Sequence, residues 1–370
     1  MSEKVTARIG WIDEFKGFVL LLVCLYHVEQ SFPQAQMGML HLSALRMSAF
    51  FFISGMLFST RRFANFKDYF IHKTQVLLVP YILLSLLFLA LDPVLYNFDL
   101  FPKAPRMTVM NIRPEIATVW DYIYWNLAKI FVAGKSSIGS GPLWFVFTLY
   151  SVSLIFYGVQ KIFPRRAIFF VSLASLAGGW ILYANHIRLP LGIERDLTVL
   201  FFFANGWLSK GLLKGGNDNK RNALLAAATI ISFAAYAYLE IPDPNFSIMN
   251  NDLGKDLRIF VASSFFGIAG LIGAFVLADR LPNAAPIRIT KGILRNISRN
   301  ALVILAVHWY TLLVMRLLFK PEINRPGIAY LAIPIVIAVV IGAIPLFRCK
   351  LYRLLGKKRA TLKESLDIRA

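Results

Sequence analysis

Apolar residues in this chain come in long blocks, divided by short polar stretches that are rich in Lys and Arg. Crossing a hydrocarbon core takes about 20 mostly apolar residues in a helix. Ten stretches meet that length: residues 15–32, 41–59, 76–96, 142–161, 167–186, 196–213, 222–240, 257–278, 301–319 and 328–347. An eleventh, 119–133 (VWDYIYWNLAKIFVA), is amphipathic and too short to span, which predicts an interfacial or re-entrant helix. The pattern predicts an all-α fold, a polytopic transmembrane bundle of about ten spans. One integral membrane domain would occupy residues 1–350, followed by a basic cytoplasmic tail over 351–370. No internal repeat is visible.

Composition supports this reading. Apolar residues make up 57% of the chain and charged residues 16%, against about 45–50% and about 25% in soluble domains. The net charge of +20 would suit nucleic acid if a soluble domain presented it, but the basic residues lie between apolar segments. Assigning alternate loops to the two sides puts 26 Lys and Arg on the side of the N-terminus and 11 on the other. The positive-inside rule then predicts both termini in the cytoplasm. No small-x-small cleavage site follows the first segment, which reads as a retained helix. The two cysteines, Cys24 and Cys349, form no disulfide framework.

Ionisable residues inside apolar segments mark function by default. The first segment, DEFKGFVLLLVCLYH, opens with Asp13, Glu14 and Lys16 and ends at His27. In a helix, Lys16 and His27 lie about 20° apart in azimuth and about 16 Å apart along the axis, and Asp13 is about 60° from Lys16. The stripe suits a donor with a charged head at the lysine and a thin arm reaching the histidine. A neutral imidazole can act as a general base, whereas a packed one is only a hydrogen-bonded core histidine. His308 lies mid-segment in SRNALVILAVHWY and is a second candidate. Arg46, an expected partner of Glu29, and Ser54 lie in RMSAFFFISGMLFS. Trp144 and Trp309 fit an aromatic interface belt better than a sugar platform. No GxSxG, Walker or HExxH motif is present, and no Cys/His set has zinc spacing.

Five stretches together resemble acyltransferase family 3, the membrane-bound bacterial O-acyltransferases of surface polysaccharides. IDEFKGFVLLLVCLYH resembles the family's D-x-x-[RK]-G…H opening, and MSAFFFISGMLFS its M-P-x-F-F-F-x-S-G-x-L pattern. HKTQVLLVPYIL and GPLWFVFTLY are similar to a basic run into L-x-P-Y and to G-P-L-W-F-L. FFFANGWLSKG and SRNALVILAVHWY resemble F-F-x-x-G and a late motif ending in histidine. The resemblance spans residues 11–350. Lys16 stands where Arg is commoner, as in a subset resembling sugar 4-O-acetylases. Ala49 replaces a usual Pro and Ala306 a usual Tyr, and only His72 and Lys73 remain of the basic run.

The resemblance implies transfer of an acyl group, normally acetyl, from cytoplasmic acyl-CoA to a hydroxyl of a surface or lipid-linked carbohydrate. The setting would be the bacterial cytoplasmic membrane, with membrane lipid around the chain. His27, Lys16 and Asp13 would be catalytic, His27 as general base or covalent acyl carrier. Lys16 and Lys73 would bind the phosphates of acetyl-CoA. Arg46, Ser54, Trp144 and His308 would line the substrate path. No metal and no nucleic acid are implied. The alternatives are a transporter of a glycan precursor and a non-enzymatic partner in glycan export.

Overall fold

The computed structural model describes residues 10–97, 112, 115–214, 219–240, 246–282, 284–319 and 325–357. The distal part of the basic tail, from 358 on, lies outside these, as does most of the 97–118 loop. In chain order the helices are α1 (Gly10–Ser31), α2 (Ser43–Leu57), α3 (Phe66–Lys73), α4 (Val79–Asn97), α5 (Val119–Phe131), α6 (Trp144–Ile162) and α7 (Arg165–Ala184). They continue with α8 (Ile193–Leu208), α9 (Asn219–Glu240), α10 (Leu257–Asp279), α11 (Ala285–Arg299), α12 (Ala301–Leu318) and α13 (Pro326–Pro345). No β-strand forms among the described residues.

All ten apolar stretches are helical. Among the described residues, eight helical segments are long and apolar enough to cross a membrane. The other two expected spans are α1, which carries Asp13, Glu14, Lys16 and Glu29, and α8, which has 16 residues. α5 is amphipathic as expected. A capping box closes its N-terminus, with Thr118 and Asp121 satisfying each other's backbone N–H groups. Tyr122, Asn126 and Ile130 face inward, while Trp120 and Tyr124 face out.

Two helices were not expected. α3 and α11 lie in stretches whose charge density reads as loop. In α11, Arg288, Lys291, Arg295 and Arg299 recur at helical spacing, and the helix packs along α1. A Cβ at Gly17 would sit 2.0 Å from the Leu294 carbonyl oxygen, so the two backbones touch there. α2 and α8 cross even more tightly. A Cβ at Gly55 would lie 1.9 Å from the Phe203 carbonyl oxygen, and one at Gly206 would lie 1.9 Å from that of Phe52. Small residues allow such approaches where apolar surroundings offer no hydrophobic drive. Between α3 and α4 the chain widens into a π turn over Thr74–Leu78, just before Pro80, which has no N–H to donate.

Candidate active site

His27 and His308, 281 residues apart, meet where α1 and α12 pack together. His27 Nδ1 lies 2.8 Å from His308 Nε2, and the rings are nearly parallel at 14°. His308 is fully buried, and its Nδ1 lies 2.5 Å from the Ile304 carbonyl oxygen. A carbonyl only accepts, so His308 Nδ1 must carry a hydrogen. In the neutral ring Nε2 then accepts, and His27 Nδ1 donates to it. The hydrogen-bond pattern thus assigns the lone pair of His27 to Nε2.

His27 lines a cavity of about 200 Å³ together with Tyr26, Arg46, Trp144 and Trp309. The Trp309 indole meets the His27 imidazole edge-on at 5.0 Å and donates from Nε1 to the Ile138 carbonyl at 2.7 Å. The Ile138 loop is itself held from α4, where Asp92 accepts from Gly139 N and from the Tyr122 hydroxyl. The Arg46 guanidinium lies 4.0 Å above the Tyr26 ring and donates to the Met39 carbonyl. Glu29 accepts from Met39 N at 2.8 Å while Arg46 donates to the Met39 carbonyl, so the two meet through that residue and both hold the turn between α1 and α2. Trp144 is buried, with the Arg195 guanidinium 5.5 Å from its ring centre. Trp144 and Trp309 thus both line this cavity.

Segment 246–249 covers part of this cavity. Asn251, buried and in the left-handed region at φ 46°, pins it. Its side chain accepts from Thr198 at 2.7 Å and donates to the Gly179 carbonyl at 2.9 Å.

A second cavity, of about 360 Å³, is lined by Lys16, Arg62, His72 and Lys73, with Ser54, Ser59 and Ser298 among its polar members. Lys16 Nζ pairs with Asp13 at 3.0 Å on the same helix. Asp13 is buried, so it steadies the ammonium at the cavity wall. The Ser54 hydroxyl donates to the Phe50 carbonyl at 2.8 Å within its own helix. Beside this end, Glu14 is buried and accepts from Arg295 of α11 at 2.6 Å. Neither Arg62 nor the Glu14–Arg295 pair stood out in the sequence. Arg62 sits in a charged linker, and pairing with α11 becomes visible only once α11 is known to be a helix.

The sequence stripe of Asp13, Lys16 and His27 is thus divided between two cavities. Lys16 serves the basic one, with Lys73 and Ser54; His27 serves the other, with Arg46 and Trp144. Among the described residues no cluster of His, Cys, Asp or Glu could hold a metal ion.

A family model for an acyltransferase domain matches residues 9–348, nearly the whole chain. The chain belongs to acyltransferase family 3. As a family 3 acyltransferase it is a multi-pass membrane enzyme that transfers acyl groups. A transporter without acyl-transfer chemistry is set aside by that membership. No curated protein and no solved structure matches the chain.

Proposed function

We propose that this family 3 acyltransferase moves an acetyl group from acyl-CoA to a hydroxyl of an extracytoplasmic or lipid-linked glycan, at the bacterial cytoplasmic membrane. The observation that carries the reading is His27, its lone pair assigned to Nε2, lining one cavity with a cluster of cations in the next. Lys16, Lys73, Arg62 and His72 receive the donor's phosphates. Lys16 does so as a point charge, the role of the subset that resembles sugar 4-O-acetylases. The acceptor lies against Trp144 and Trp309, whose faces suit a sugar ring, and beside Arg46. Ser54 lines the donor side.

In the general-base route, His27 Nε2 takes the hydroxyl proton as the oxygen attacks the thioester carbonyl carbon. The C–S bond breaks, the sulfur leaves with the electron pair, and the imidazolium returns the proton to it. In the covalent route the same Nε2 attacks the thioester carbonyl carbon, the C–S bond breaks and the thiolate leaves with the electron pair. The hydroxyl oxygen then attacks the acyl-imidazole, the N–C bond breaks to restore neutral His27, and the thiolate takes the hydroxyl proton. His308 orients Nε2 in both, and Asp13 holds Lys16.

The test compares the O-acyl content of cell-surface glycans by proton NMR in a deletion strain carrying wild type or His27→Ala, at equal membrane levels. An O-acyl signal present only with wild type supports the reading. Equal signals from both strains would make His27 a packing residue and end the proposed mechanism.

A further inference from the structure

The two cavities share three lining residues: Phe50 of α2, Phe145 of α6 and Leu305 of α12. Each comes from a different helix. The Phe50 and Phe145 rings meet edge to face, 4.6 Å between centres at 73°. Phe145 is buried and braced by Phe51 at 5.0 Å, and Leu305 is buried one turn before His308. Phe50 is only half-buried, so it is the member with room to change rotamer. The cations line one side of this septum and His27 the other.

We infer that the septum of Phe50, Phe145 and Leu305 is the passage through which the donor's thioester arm reaches His27, and that its width selects slender over branched acyl groups. The inference rests on the acyl-CoA reading above. A charged head held by Lys16 and Lys73 cannot follow its acyl end into the His27 cavity. The link between them must be a thin, uncharged chain, and it must pass these three side chains. A phenylalanine pair with one leucine offers no hydrogen bond, so it discriminates by cross-section alone. A group branched at the carbon next to the carbonyl presents its extra methyl to the rings as it passes. Phe145 and Leu305 form the fixed walls and Phe50 the side that yields.

The experiment uses membrane vesicles from the deletion strain, which carry their own acceptor, with each full-length variant at equal level. They are supplied with acetyl-CoA or isobutyryl-CoA, and thiol release is followed. In parallel, binding of free CoA to each purified full-length variant in lipid nanodiscs is measured by calorimetry. Leu305→Trp, which narrows the passage, is expected to slow acetyl transfer by about 20-fold or more while CoA affinity stays within about threefold. Phe145→Ala is expected to raise the isobutyryl-to-acetyl rate ratio by about tenfold, and the milder Phe50→Leu to shift it the same way. The inference is overturned if Leu305→Trp transfers acetyl at the wild-type rate, or if CoA affinity falls as far as the rate. It is also overturned if Phe145→Ala and Phe50→Leu are active with an unchanged ratio. Wild type that neither binds CoA nor releases thiol above His27→Ala defeats the acyl-CoA reading itself, and the passage with it.

Discussion

His308 fixes His27 from behind: one ring spends Nδ1–H on the Ile304 carbonyl, which leaves its Nε2 to accept from the other at 2.8 Å. His308 is buried and lines neither cavity, yet it decides which nitrogen of its neighbour carries the lone pair. His308→Ala is expected to lower kcat about 100-fold with the donor KM unchanged, because the hydrogen on His27 is no longer confined to Nδ1. His308→Gln, whose side-chain oxygen can accept, is expected to recover part of the loss. Steady-state kinetics on both variants checks this. A glutamine variant no better than alanine would argue for packing alone.

The buried Glu14 and its partner Arg295 couple α1 to α11 at the basic end. Removing Arg295 leaves a buried carboxylate without its cation, and Arg295→Ala is expected to cost about 3 kcal/mol. Replacing both, as Glu14→Gln with Arg295→Gln, is expected to recover a part of that, since no uncompensated charge remains. Thermal unfolding of the four proteins of this cycle supplies the answer. Additive losses would show that the two side chains do not interact.

The α2–α8 crossing tolerates no side chain on its glycines. Gly55→Ala and Gly206→Ala each place a methyl group against a backbone carbonyl, so the helices must separate. Both are expected to lower the yield of folded protein and the melting temperature, by more than about 3 kcal/mol in stability. Gly158→Ala, at a helical site with nothing within 4 Å, is expected to stabilise by about 0.5–1 kcal/mol. Equal effects at the two kinds of site would refute the close crossing.

Lys129 of α5 and Lys135 of the following loop lie outside the spanning segments, and burial pushes both down to about 8 from an ordinary 10.5. Nearby cations add to this: Lys135 depresses Lys129, and Arg195 and Arg188 depress Lys135. Between those two values the unfolded chain binds more protons than the folded one, so stability rises with pH through that window. Wild type is expected to melt higher at pH 9.5 than at pH 7.5, with Lys129→Met/Lys135→Met both higher at pH 7.5 and flatter. A wild-type profile parallel to that of the double variant would count against burial of these ammonium groups.

Hydropathy located the apolar helices because the length of an apolar run is a property of each segment alone. It missed α11 because Arg288, Lys291, Arg295 and Arg299 raise its charge to that of a loop, while its partner face on α1 is distant in sequence. His27 and Lys16 were legible as charges inside an apolar block. Their division between two cavities was not, since that depends on where α2, α6 and α12 converge. Trp309 read as a belt residue for a related reason. Only the packing of the Ile138 loop shows that its indole N–H is used inside the protein.

The septum has a bearing beyond selectivity. Two cavities joined without obstruction through a membrane protein would short-circuit any electrochemical gradient that the membrane maintains. Phe50, Phe145 and Leu305 stand between the two cavities, and apolar side chains of this kind oppose the passage of charged groups. On the acyl-CoA reading, the same three side chains would let an acyl group through while its carrier and ions stay behind.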